Sequence, residues 1–290
     1  MAGLLTAFVA GNNQSAAVGT IIGSRTVSVR FGTIISIFGF AGGLLVQGAL
    51  LARVSGALMP HSQYLAMLAF FASFVIFLAA TILRTPLSLT MALVGVATGI
   101  SIRVSYPIYY PYLESLVIVW IFAPVLVIGF SMIASRGIDR IQVKDTWRAA
   151  SFSKISLIIV SFFTAFTLGA NTLGLILAIA GPSLLAYASM IVGIVLGCLF
   201  IGSGTIKRVG EDIYSLRYSS ALVSQLVSSI GVEVATLLGI PLSNTQTLTS
   251  SVVGTGLSRR YKFIHMRPFF VVVAMWIISP LTGLALGYAI

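Results

Sequence analysis

Two pairs of short motifs hold the residues whose types and spacing could do chemistry. Gly11-Asn12-Asn13-Gln14 and Gly169-Ala170-Asn171-Thr172 set amides and a hydroxyl beside glycine within apolar runs. Pro86-Leu87-Ser88-Leu89-Thr90 and Pro241-Leu242-Ser243-Asn244-Thr245-Gln246 set hydroxyls and amides just after a proline. The shared patterns are GxN and PLSxT. Asn13 precedes Pro86 by 73 residues and Asn171 precedes Pro241 by 70, and a further glycine, Gly99 or Gly254, stands thirteen residues after each proline. One such pair could be chance, but two pairs at matching spacing argue for an internal repeat.

The chemistry on offer is hydrogen-bond donation to an anion. Proline suits the first turn of a helix, where its missing N–H costs nothing, and the next N–H groups stay free. Those groups, the hydroxyls and the positive end of the helix dipole form an anion site. The candidate ligands are Asn13, Gln14, Ser88 and Thr90 in the first copy, with Asn171, Thr172, Ser243, Asn244 and Thr245 in the second. Glycine and amides inside apolar runs also predict unwound points at membrane depth, which a bilayer tolerates only where protein or a wet cavity satisfies the backbone. For a lone Ser or Thr, bonding to its own helix is the plainer reading; the paired arrangement favours a site.

The elements that position these motifs are set by composition. Of 290 residues 58% are apolar and 8% charged, with a mean hydropathy of +1.07. A soluble domain is roughly a quarter charged, so the chain is an all-α integral membrane protein with no room for a soluble catalytic domain. About ten apolar stretches of membrane-crossing length account for most of it. With both termini outside the cell membrane, all of the 17 Lys and Arg except Arg53 and Arg103 fall on the cytoplasmic side, as the positive-inside rule requires. That rule, rather than nucleic acid, explains the net charge of +11. Residues 135–154 read as a cytoplasmic linker between repeats at 1–134 and 155–290. Five segments per half make the second repeat inverted relative to the first. The runs opened by Pro86 and Pro241 are short enough to be second arms of re-entrant hairpins.

The remaining polar residues are sparse. Cys198 is alone, and His61 and His265 have no metal partners, so neither a disulfide within the chain nor a metal or other cofactor is expected. Asp139, Asp145, Glu211 and Asp212 fall in predicted cytoplasmic segments, and Glu114 lies beside the tyrosines of an interfacial belt. Glu233 alone is deep in an apolar run, which makes it the candidate proton carrier; pairing with a nearby cation or helix end is the structural alternative. Arg84, two residues before Pro86, could compensate the charge of a bound anion or serve as an inside anchor.

The paired motifs resemble the PiT family of inorganic phosphate transporters, which includes a branch of sulfate permeases. The family pattern is a GAND-type motif followed by a PxSTTH-type motif in each of two inverted halves. Gly202-Ser203-Gly204-Thr205-Ile206-Lys207-Arg208-Val209 and Gln225 also look like the family's segment before its second PxSTTH. The resemblance spans nearly the whole chain and implies secondary transport by a homodimer. This sequence departs from the pattern at the acidic positions, occupied by Gln14 and Thr172, and at the histidine positions, occupied by Met91 and Gln246. In relatives that acid helps to hold sodium and phosphate, so its absence points to H+ rather than Na+ as the coupling ion. A site of donors without carboxylates suits a fully ionised oxyanion, which favours sulfate slightly over phosphate.

The expectation is therefore alternating-access transport of sulfate, or alternatively phosphate. An intramembrane enzyme would need clustered acids, histidines or a nucleophile–base pair, and none is visible. A non-transporting receptor or scaffold would keep the packing glycines without needing hydroxyls at both motifs.

Overall fold

The computed structural model describes residues 1–83, 85, 87–140, 146–202, 218–259 and 266–290, and every regular element in them is helical. The first half holds α1 (Ala2–Gly23), α2 (Val29–Gln47), a 3₁₀ turn (Gly48–Ala52) leading into short α3 (Arg53–Leu58), α4 (Gln63–Ile82), α5 (Leu89–Arg103) and α6 (Tyr110–Arg140). In the second half α7 (Thr146–Leu168) passes through a π turn (Gly169–Leu173) into α8 (Gly174–Ala180), and α9 (Leu184–Leu196) ends in a second π turn (Gly197–Ile201). Then come α10 (Tyr218–Leu237), α11 (Asn244–Arg259) and α12 (Met266–Ala289). The sequence-derived roles of Arg84, Asp145, Glu211, Asp212 and His265, and most of the segment after Gly202, lie outside the described residues.

Serine sets several helix starts. Ser28, Ser62, Ser88 and Ser183 each stand at an N-cap with the side chain accepting from an N–H of the first turn, satisfying a donor that the helix leaves open. Among the described residues, seven helical stretches are long and apolar enough to cross a membrane, fewer than the ten apolar runs of the sequence. α5 is apolar but only 15 residues long, about 22 Å at 1.5 Å per residue, and falls short of a hydrocarbon core of about 30 Å. α1, interrupted by Asn12, Asn13 and Gln14, and α11, opening with Asn244-Thr245-Gln246-Thr247, are outside the set of seven. The polar stretch 135–154 is mostly helical as well, because α6 runs on to Arg140 and α7 begins at Thr146.

The predicted unwinding does not occur. α1 continues unbroken through Gly11-Asn12-Asn13-Gln14, and Gly169-Ala170-Asn171-Thr172 form a widened π turn. Helical bonding keeps the backbone satisfied, and the Ser15 hydroxyl donates to the Asn12 carbonyl at 3.1 Å.

Packing centres on the stretch Phe152–Ala180, 83% of whose most apolar window is buried, while Phe269–Ala289 is 11% buried and peripheral. α1 packs on α9 and α2 on α7; α4 pairs with α5 and α10 with α11. The last long helix of each half lies against the short helix of the other half, α6 on α11 and α12 on α5. Glycine permits these approaches: a Cβ at Gly95 or Gly99 would strike the carbonyls of Pro280 and Leu284, and one at Gly283 or Gly287 those of Ala92 and Val96. Such small-residue seams suit helices in lipid, where close packing rather than water exclusion drives association.

Candidate functional site

The two proline-anchored loops end in the same backbone turn. Ile240 N–H reaches back to the Ala235 carbonyl at 2.8 Å, and Thr85 N–H reaches back to the Ala80 carbonyl at 2.9 Å. Residues 85 and 240, and 80 and 235, hold the same places relative to Pro86 and Pro241. In the second loop Gly239 supplies the left-handed turn residue, φ +70°, a conformation that costs glycine little.

After that turn residues 240–243 are irregular and buried, and side chains from α6 and the π turn satisfy their backbone. Tyr112 of α6 donates to the Gly239 carbonyl at 2.7 Å, and Trp120 donates from Nε1 to the Pro241 carbonyl at 2.8 Å. Asn171, fully buried in the π turn, makes three bonds: Nδ2 donates to Thr236 Oγ1 at 2.9 Å and to the Ile240 carbonyl at 3.1 Å, and Oδ1 accepts from Leu242 N–H at 2.9 Å. This is the accounting a nonhelical strand demands in a bilayer. The first loop is held differently, with Ser88 N–H donating to Ser279 Oγ of α12 at 3.1 Å and Leu87 N–H turning back to the Thr85 carbonyl at 2.9 Å.

Between the loops lies a cavity of about 320 Å³, room for about ten waters. Its polar lining is Asn12 and Asn13 from α1, Thr81 from the end of α4, Thr85, Ser88 and Thr90 from the first loop and α5, Thr172 from the π turn, and Ser243, Asn244 and Thr245 from the second loop and α11. Among the described residues no charged side chain lines it. The N-termini of α5 and α11 both open onto it, so two helix dipoles present their positive ends to one space. Ser88 Oγ accepts from Met91 N–H at 3.3 Å, leaving its own proton to donate. Asn244 is 8% exposed, and its Oδ1 is buried without a partner.

Seven of the nine anticipated ligands therefore converge: Asn13, Ser88, Thr90, Thr172, Ser243, Asn244 and Thr245. Gln14 and Asn171 do not line the cavity. Gln14 is fully buried on another face of α1, donating from Nε2 to Thr33 Oγ1 at 3.1 Å, and Asn171 is spent on the loop backbone. Asn12, Thr81 and Thr85 line the cavity without having been anticipated. Thr81 had a signal in the sequence, since it and Thr236 stand five residues before the two prolines.

Glu233 is not at the cavity. It lies half-buried in α10, where Gln47 Nε2 donates to its Oε1 at 2.7 Å. Glu233 Oε2 and Gln47 Oε1 are both buried without partners. Gln225 ties helices together, its Nε2 donating to the carbonyls of Ala16 and Ala17 at 3.0 Å and its Oε1 accepting from Thr20 at 2.9 Å. Among the described residues no group of His, Cys, Asp and Glu could hold a metal ion.

Comparison with known proteins locates this arrangement. The profile of the phosphate transporter family matches residues 9–287. A Methanocaldococcus jannaschii chain that carries the name phosphate permease is 25% identical over 281 residues, covering 96% of this chain and 91% of its own length. A sodium-dependent phosphate transporter of Danio rerio is 33% identical over 94 residues, only 32% of this chain and 14% of its own length. The solved structure of a sodium-dependent phosphate transporter shares the fold, with a TM-score of 0.81 at 21% identity, covering 99% of this chain and 96% of that one.

Proposed function

This chain belongs to the phosphate transporter family, whose members are transporters rather than enzymes, and on that premise we propose that it moves inorganic phosphate across the cell membrane by alternating access. The observation that carries the reading is the cavity itself, where hydroxyls, amides and two helix N-termini converge with no charged side chain among the described residues. Donors held by rigid helix starts stabilise an oxyanion without needing a metal. Two halves of five segments related by inversion account for the exchanged packing of α6 on α11 and α12 on α5. Rocking of one half against the other would open the cavity to each side in turn, with both termini outside and the protein a homodimer.

Phosphate rather than sulfate is the substrate of this reading. The relatives are named for phosphate, and Asn244 Oδ1 adds a chemical reason. It is a buried acceptor without a donor, and phosphate near neutral pH retains a proton to give it, whereas sulfate has none. The loss of carboxylates that had favoured sulfate is thus offset by a neutral acceptor.

Coupling is assigned to a proton at Glu233. Its Oε2 and Gln47 Oε1 are two acceptors left over on side chains already joined at 2.7 Å. One proton on Oε2 turns one of them into a donor and removes a buried mismatch.

Radiolabelled phosphate uptake into proteoliposomes, with sulfate as competitor and with imposed pH or sodium gradients, tests the reading. Saturable phosphate uptake driven by an inward proton gradient and indifferent to sulfate is expected. Sodium-driven uptake overturns the coupling assignment, sulfate uptake overturns the substrate, and absence of saturable binding of either anion favours a receptor or scaffold.

A further inference from the structure

Asn171 bonds three groups, Thr236 Oγ1, the Ile240 carbonyl and Leu242 N–H. Counted from the prolines, the same places in the first loop are Thr81, Thr85 and Leu87, and the residue at the place of Asn171 in GxN is Asn13. All four line the one cavity. The likeness extends to local geometry. Thr81 Oγ1 donates to the Phe77 carbonyl and Thr236 Oγ1 to the Val232 carbonyl, each four residues back and each at 2.8 Å. The turns at Thr85 and Ile240 also match in their backbone bonds to Ala80 and Ala235. Yet the Asn13 side chain, on the helical backbone of α1, makes no hydrogen bond to any described residue. Leu87 N–H, lacking it, is satisfied only by the Thr85 carbonyl two residues back, a tight three-residue turn.

We propose that Asn13 is a switchable clamp: in a second state of the protein its amide bonds Thr81 Oγ1, the Thr85 carbonyl and Leu87 N–H as Asn171 bonds their counterparts, and bound phosphate competes with the loop for this side chain. The inference rests on the proposed anion site and adds a route by which occupancy alters the loop. An amide cannot donate to the Thr85 carbonyl and to an oxyanion with full strength at once. Phosphate therefore favours the state seen here, in which Asn13 faces the cavity, and its departure releases Asn13 to the loop. A ligand shifts an equilibrium only through such a difference in contacts between two states. The second loop has no such freedom, because Asn171 is fully buried and committed. Asn13 thus acts as a positioning residue for the loop as well as a ligand, and the two halves respond differently to the same anion.

Hydrogen–deuterium exchange of the full chain in lipid nanodiscs, with and without inorganic phosphate, tests this. The readout is the peptide carrying the amides of Thr85, Leu87 and Ser88, and the peptide carrying Leu242 is the internal control for an intact fold. Without phosphate, Asn13→Ala is expected to exchange about tenfold faster than the natural chain at the first peptide and equally at the second. Saturating phosphate should speed the natural chain toward the Asn13→Ala rate. Asn13→Asp, which keeps the acceptor for Leu87 N–H and loses the donor to the Thr85 carbonyl, should fall between. Equal exchange in the natural chain and Asn13→Ala without phosphate overturns the clamp. Calorimetry separates the two readings, since phosphate that fails to bind the natural chain overturns the anion site whatever Asn13 does to exchange.

Discussion

Asn171→Ala is the substitution that most directly separates a clamp from a ligand. The side chain is fully buried and forms three hydrogen bonds between 2.9 and 3.1 Å. Alanine leaves the Ile240 carbonyl and Leu242 N–H without partners at positions 9% and 1% exposed. Each orphaned group costs about 1–3 kcal/mol, and little water reaches this depth to replace the amide. A loss near the lower middle of that range, about 3 kcal/mol for the two together, lowers the melting temperature of a chain of 290 residues by about 5 °C. Thermal unfolding of purified protein in detergent, followed by tryptophan fluorescence, measures it. Phosphate affinity of the surviving folded fraction should change little, because Asn171 does not line the cavity. A variant that melts within about 2 °C of the natural chain yet binds phosphate tenfold more weakly would refute the reasoning and make Asn171 a ligand.

Ser88→Ala and Ser243→Ala each remove a cavity hydroxyl and are expected to weaken phosphate binding about tenfold or more, the cost of a hydrogen bond to a charged group, as read by calorimetry. Ser88→Ala should also lose about 1 kcal/mol of stability through its cap on Met91 N–H, visible in the same melting assay. Glu233→Gln is expected to abolish uptake driven by a pH gradient while phosphate counterflow between equal pH persists; gradient-driven uptake at the natural rate counts against Glu233. Gly95→Ala and Gly283→Ala force a Cβ into backbone of the facing helix and should each destabilise by about 1–3 kcal/mol, with a smaller effect for Gly129→Ala, which has open space around it.

Composition alone determined that the chain lives in a membrane, because 8% charged residues cannot cover a water-facing surface. The spacing of the paired motifs singled out residues that lie close together, because glycine-amide and proline-hydroxyl clusters interrupt apolar runs at repeated places, and seven of the nine candidate ligands line one cavity. Tertiary structure decided which face each residue presents. Neighbours on a helix point about 100° apart, so Asn13 reaches the cavity while Gln14 is turned to Thr33. The π turn at Gly169–Leu173 sets Thr172 toward the cavity and Asn171 toward the loop, a rotation that residue order does not encode. The partner of Glu233 was equally hidden, since Gln47 lies 186 residues away in the chain, and only helix packing brings two such distant side chains together. Of the two asparagines in matching motifs, the packing seen here sets Asn171 against a loop backbone and leaves Asn13 facing the cavity.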